Sequence, residues 1–255
     1  MKTLKISILA LLFSLAIPTQ AQTVEEIIAN YFENTGGIEN WKSLKSLKSI
    51  GKGIQQGQEF PGTMIQLKSG KQMQSYSIQG KELKQGVFDG ETLWSTNFLT
   101  MKAEKSDAEQ TANFKLNTND FPDPFLVYKE KGYTVELLGK ETIDGAETFK
   151  VKLVKEPITV DGKQEEDVSL YFFDTENFVP IAMETELKSG PAKGQTIKVT
   201  MSDYQEVDGL YFSFSTSQYI GEQVILTLEM DSIELNPEID ETIFAYPEST
   251  VSEKK

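Results

Sequence analysis

The stretch VSLYFFDTENFVPIAMETE, Val168–Glu186, decides how the chain is read. Two apolar arms flank the polar tetrad Asp174-Thr175-Glu176-Asn177, the composition of a β-hairpin and its turn. Alternation puts Val168, Leu170 and Phe172 on one face of the first arm, and Val179, Ile181 and Met183 on one face of the second. The other face is polar at its far ends but carries Tyr171, Phe173 and Pro180 near the turn. A highly charged protein needs a reason to place so much oily and aromatic surface on one hairpin.

Outward from the hairpin, the chain reads as strand after strand from about Leu47. Asp-Gly pairs at Asp89-Gly90, Asp144-Gly145, Asp161-Gly162 and Asp208-Gly209 separate alternating segments and favour tight hairpin turns. No long helical pattern intervenes, so the strands predict an antiparallel meander rather than βαβ units. The C-terminal strands alternate best: Ile197, Val199 and Met201; then Leu210, Phe212 and Phe214; then Val224, Leu226, Leu228 and Met230. One apolar face therefore runs through several strands, backed by a polar one.

Two segments depart from this pattern. Near the start, Thr23 caps a helix with Glu26 as its capping-box partner, and Val24, Ile27, Ile28, Tyr31 and Phe32 form its apolar stripe. The segment Lys102 to Tyr133 begins polar and then holds Phe121, Pro122, Pro124 and Phe125. Its prolines exclude an interior strand, and a short helix opening at Pro124 is expected. So long a connection inside a β domain suggests a lid, with Phe121 and Phe125 as its apolar contacts.

Composition narrows the chemistry. The chain of 255 residues has no histidine and no cysteine, which removes Ser-His, Cys-His and thiolate mechanisms and zinc sites built on those ligands. It has no arginine either, and its net charge is −14, so nucleic acid is not an expected partner. Carboxylates are abundant, for example Glu165, Glu166 and Asp167, but nothing in their spacing selects the facing pair a hydrolase needs. Neither a catalytic residue nor a cofactor or metal site is expected. Lys2 and Lys5 precede the apolar run Ile6 to Ile17 and the small residues around Ala21, the anatomy of a secretory signal cut after Ala21. That leaves one domain over residues 22–255, exported and without a cysteine to carry lipid.

Several motifs occur together: VEEIIANYFENTGG (Val24–Gly37), VFDGETLWS (Val87–Ser95), GKETIDGAETFKVKLV (Gly139–Val154), LYFFDTENFVPIAMETE (Leu170–Glu186), YQEVDGLYFSFS (Tyr204–Ser215) and IELNPEIDETIFAYP (Ile233–Pro247). In this order they resemble the periplasmic outer-membrane lipoprotein-sorting proteins of LolA/LolB-like fold. The resemblance implies a mainly β fold: an unclosed antiparallel barrel of roughly eleven strands with helices over its concave face. It also implies a periplasmic, monomeric, non-enzymatic binder of acylated lipid or lipoprotein cargo. The arginine associated with lid control in the carrier and the lipidated cysteine of the membrane acceptor are both missing here. The expected cavity wall comprises Leu170, Phe172, Ile181, Met183, Val199, Met201, Phe212, Phe214, Leu226 and Leu228, with Phe121 and Phe125 in the lid. An envelope protein-interaction or sensor module on the same sheet is the alternative, and a carboxylate hydrolase the third.

Overall fold

The computed structural model describes residues 22–247, so the expected signal segment lies outside the described residues. Helix α1 (Val24–Asn34) forms where its stripe predicts: the Thr23 hydroxyl accepts from Glu26 N at 3.2 Å, and the Glu26 carboxylate accepts from Thr23 N at 2.9 Å. Val24, Ile27, Ile28, Tyr31 and Phe32 are all buried. A short α2 (Ile38–Ser43) follows and buries Trp41.

The strands are β1 (Ser46–Gln55), β2 (Gln58–Leu67), β3 (Gln72–Ile78), β4 (Lys81–Phe88), β5 (Leu93–Thr96) and β6 (Ala103–Lys105). After helices α3 (Ala108–Thr118) and α4 (Pro124–Lys131) come β7 (Thr134–Ile143), β8 (Ala146–Val154) and a small hairpin, β9 (Ile158–Val160) and β10 (Lys163–Glu165). The chain continues through β11 (Val168–Asp174), β12 (Pro180–Glu186), β13 (Thr196–Val207), β14 (Leu210–Ile220) and β15 (Gln223–Leu235), and a 3₁₀ turn spans Glu241–Phe244. Thirteen strands make one antiparallel sheet in the order β6-β5-β4-β3-β2-β1-β15-β14-β13-β12-β11-β8-β7. The two ends, β6 and β7, do not pair, so the sheet is an unclosed half-barrel with helices on its concave face. Three of the four Asp-Gly pairs make the expected turn, with positive φ at both residues: Asp144-Gly145, Asp161-Gly162 and Asp208-Gly209. At the fourth only Gly90 has positive φ, and the Asp89 side chain accepts from Glu91 N and Thr92 N.

The segment from Lys102 to Tyr133 is more ordered than its polar sequence suggests. Asp107 caps α3 by accepting from Gln110 N at 2.8 Å. Asn113 exchanges two hydrogen bonds with the Thr159 backbone, and the Glu109 carboxylate accepts from Asp161 N and Gly162 N. Phe114 packs on Phe88 of β4, ring centroids 5.7 Å apart. Helix α3 thus bridges β4, near one edge of the open sheet, to the β9–β10 hairpin that follows β8, near the other edge. Helix α4 begins at Pro124 with Asp123 as its cap, and Gly132 ends it in the left-handed region.

Helices α1, α2 and α4 share one core with the sheet: Ile27, Tyr31, Phe32, Trp41 and Phe125 meet Phe149, Val151, Leu153, Phe173 and Leu210. Each large apolar side chain buried there contributes about 1.5–3 kcal/mol. The opposite, convex face has its own cover. Ile65, Met73, Val87 and Trp94 pack under Phe244, whose carbonyl accepts from Trp94 Nε1 at 2.9 Å. Replacing Phe173, which is fully buried between α1 and α4, by alanine should destabilise the fold by about 3–5 kcal/mol in urea unfolding. A loss under 1 kcal/mol would show that this cluster is not the main core.

Candidate functional site

Strand register shows which face each residue occupies. Phe125 of α4 touches Tyr171 edge-on at 4.8 Å, so Tyr171 marks the helix-covered face. Tyr171 pairs with Met183, Met183 with Val199, Val199 with Gln218 and Gln218 with Leu226. A parallel row links Met201, Thr216, Leu228 and Gly53, and a third links Met230, Gly51, Gly62 and Tyr76. Cross-strand partners share a face, so all these side chains look toward the concave side.

The helices cover only part of that side. Met64, Met183, Val199, Met201, Leu226, Leu228 and Met230 are half-buried and belong to none of the three buried clusters. They form an apolar trough next to the packed core. Two glycines shape its floor. A side chain at Gly62 would come within 2.8 Å of the Tyr76 ring, and one at Gly53 within 3.3 Å of it and 3.5 Å of Leu226. Tyr76 therefore lies across strands that carry no side chain there. The cleft between Tyr76, Met64, Leu228 and Met230 encloses only about 20 Å³, so the trough is an open surface and not a sealed cavity.

The expected wall splits accordingly. Met183, Val199, Met201, Leu226 and Leu228 lie in the uncovered field, while Phe212 is already occupied by Trp41 at 5.0 Å and Phe214 is buried. Leu170 and Phe172 are a correction. Phe172 pairs with Ala182 and Lys150, and Leu170 with Glu184 and Lys152, which puts both on the convex face with Ile143. The inward aromatics of this hairpin are Tyr171 and Phe173. The cause is the turn: Asp174 caps it by accepting from Glu176 N and Asn177 N, and Phe178 N donates to the Asp174 carbonyl. A bulge at Ile181 then resets the register, and a one-residue slip reverses every side chain. Ile181 packs against the convex cluster and, with Met201, lines an open hollow of about 700 Å³ near the turn, beside Asn34 and Tyr204. Both lid candidates are seated: Phe125 is buried against Tyr171 and Phe173, and Phe121 packs on the edge of the same core.

A polar cluster fastens this segment. Asp120 Oδ1 accepts from Lys131 Nζ at 2.9 Å and from the Tyr133 hydroxyl at 2.7 Å, and Oδ2 accepts from Lys155 Nζ at 3.1 Å. Asp123 Oδ2 accepts from the Tyr31 hydroxyl at 3.0 Å and Oδ1 from Phe125 N at 2.8 Å. Burial pushes the Asp123 carboxyl up to about 6, against the two hydrogen bonds that favour its charge. Burial likewise raises Tyr31, Tyr171 and Tyr204 above the usual phenol range, so all three stay protonated; Tyr31 donates to Asp123 and Tyr204 to the Pro180 carbonyl. Between this cluster and the ends of β2 and β3 lies a polar cavity of about 210 Å³, lined by Gln66, Gln72, Asn117, Thr118, Asp120 and Lys155 among others. Sequence reading missed this cavity, because lone glutamines on a strand carry no motif.

An open half-barrel with helices on its concave face and an apolar trough beside them is the class these observations define. The fold is that of a LolA superfamily protein from Nitrosomonas europaea, with a TM-score of 0.53 at 12% identity over 88% of this chain and 98% of the other. A putative outer membrane lipoprotein-sorting protein domain from Vibrio parahaemolyticus aligns at 0.52 with 10% identity, covering 86% and 94%. A DUF1329 family protein from Desulfovibrio piger aligns at 0.50 with 10% identity, covering 88% and 98%. No protein-family model matches the chain, and no curated protein matches it by sequence. Among the described residues no helix is long and apolar enough to cross a membrane.

The Asp123 environment gives a pH signature. Its pKa rises on folding from 3.8 to about 6, so between these values the folded state holds a proton that the unfolded chain has released. Asp123 therefore makes stability fall as pH rises through that window and level off above it. Asp123→Asn keeps the cap acceptor, and urea unfolding from pH 4 to 7 should show this downward contribution missing relative to wild type. Parallel pH profiles for the two proteins would refute the assignment.

Proposed function

We infer that the protein is a non-enzymatic binder or carrier of acylated molecules, lipids or lipoproteins, exported to the periplasm as a single domain after cleavage at Ala21. The observation that carries this reading is the uncovered apolar field beside a well-packed core. A sheet face with Val199, Leu226, Leu228 and four methionines on it, half-buried and with no helix over it, is costly in water unless something lies on it. Methionine suits a variable occupant, being unbranched and polarisable. Each methylene transferred from water to such a surface contributes about 0.8 kcal/mol, so an acyl chain is held without covalent chemistry. The shared fold with LolA superfamily proteins agrees with this reading, and the absence of histidine and cysteine is consistent with a binding role.

The test is direct. Leu228→Lys and Met230→Lys place charge in the trough at half-exposed positions, so both variants should fold. Each should lose at least tenfold in affinity for a fluorescent fatty-acyl probe. Native mass spectrometry of protein from its own envelope should show co-purifying lipid or acylated peptide. Unchanged probe affinity in both folded variants removes the trough as the site, and a stoichiometric non-acylated protein partner in its place favours an interaction module.

A further inference from the structure

The trough does not end in solvent at the α3–α4 end. Along β2 the concave positions read Phe60, Gly62, Met64 and Gln66, and Gln66 pairs with Gln72 as Met64 pairs with Gln74. Met64 and Gln74 line the apolar cleft, whereas Gln66 and Gln72 line the polar cavity of about 210 Å³. Two residues along a strand are about 7 Å, so the apolar and polar compartments adjoin on one surface. The cavity has room for about seven waters, enough for a small head group.

Its charges are already matched. Lys155 Nζ donates to Asn117 Oδ1 at 2.6 Å and Asp120 at 3.1 Å and is ion-paired with Asp167 at 3.2 Å, so its charge faces two carboxylates. Asp120 also receives Lys131 and Tyr133. The groups with capacity left are all neutral: the Tyr171 and Thr118 hydroxyls and, on the β2–β3 and α3 sides, side-chain amides. Gln66 Nε2 makes only a long 3.4 Å contact to Gln72 Oε1, leaving Gln66 Oε1, Gln72 Nε2 and Asn117 Nδ2 free to bond a guest. Every fully buried polar side-chain atom among the described residues is bonded, so these free groups face open space.

We propose that this cavity seats the polar end of an amphiphile whose acyl chain lies in the trough, and that it selects an uncharged, hydrogen-bonding head such as a glycerol ester, hydroxyl or amide. The inference rests on the trough reading above. A phosphate or carboxylate head would enter a space where no cation is unpaired and desolvation would go uncompensated.

The experiment uses the mature protein loaded with the apolar dye N-phenyl-1-naphthylamine. It is titrated with 1-monomyristoylglycerol or with the lysophosphatidate of the same acyl chain, both below their micelle concentrations. Monoacylglycerol should displace the dye at tenfold or lower concentration. The double variant Gln66→Leu, Gln72→Leu keeps side-chain volume and removes both amides together. In it that preference should fall to about onefold, with dye affinity unchanged. Equal displacement by the two heads, preference for the charged one, or full preference retained in the double variant would overturn the head-group site and leave the trough standing. Failure of dye and both amphiphiles to bind folded wild-type protein would remove the trough reading, and this inference with it.

Discussion

Covering one very wide apolar sheet face is the constraint on which the rest of the structure depends. Thirteen strands present a concave surface, and α1, α2 and α4 together contribute 25 residues of helix against it. Those helices are committed to one end, where Tyr31, Phe32, Trp41, Phe125 and Phe173 interlock with ring centroids 4.8–6.4 Å apart. The convex face is completed differently, by the C-terminal segment around Phe244 under Trp94 and by the small cluster at Phe172. What remains is a methionine-rich surface that the chain covers with none of its described helices. Such a surface is the simplest structural basis for a guest.

The polar cluster under α4 has a position that matters as much as its energy. Asp120 and Asp123 stand at either side of Phe121-Pro122, and their partners come from α1 (Tyr31), α4 (Lys131) and the chain just after β8 (Lys155). One short segment is thereby tied to three parts of the molecule. Breaking a buried pair of this kind costs about 3–5 kcal/mol, because an ion is left without its partner. The ties hold the Phe121–Phe125 segment down on the core, so any opening there has to release several bonds together.

Much of the architecture was legible in the chain because local chemistry and tertiary packing agree there. Thr23 and Glu26 announce α1, Asp-Gly pairs announce hairpins, Pro124 announces α4, and clean alternation in β13 and β15 assigns Val199, Leu226 and Leu228 to one face. Helix α3 was hidden because its stability is tertiary: apart from its Asp107 cap, it is held by Asn113 on Thr159, Glu109 on the β9–β10 turn, and Phe114 on Phe88. The Val168–Glu186 hairpin misled for another reason. Both its faces are apolar, so polarity cannot choose between them, and the choice falls to the Asp174 turn and the bulge at Ile181. The polar cavity was invisible because Gln66, Asn117 and Lys155 converge from three separate parts of the chain.

The same reversal clarifies how the two faces divide their work. With Phe172 turned outward, the hairpin supplies the convex side with a buried anchor under the Lys150 ammonium, 5.3 Å from the ring centroid. With Tyr171 and Phe173 turned inward, it supplies the aromatic wall on which α4 rests. Tyr171 also lines the polar cavity, so one residue borders both the packed core and the compartment beside it. On the concave side the aromatic core meets the methionine trough at Tyr171 and Met183 and borders the amide-lined cavity at Tyr171, and the cavity adjoins the trough along β2. A surface built only to be buried would have no use for the amide-lined compartment. An amphiphile, with one polar end and one apolar chain, matches the cavity and the trough that adjoins it.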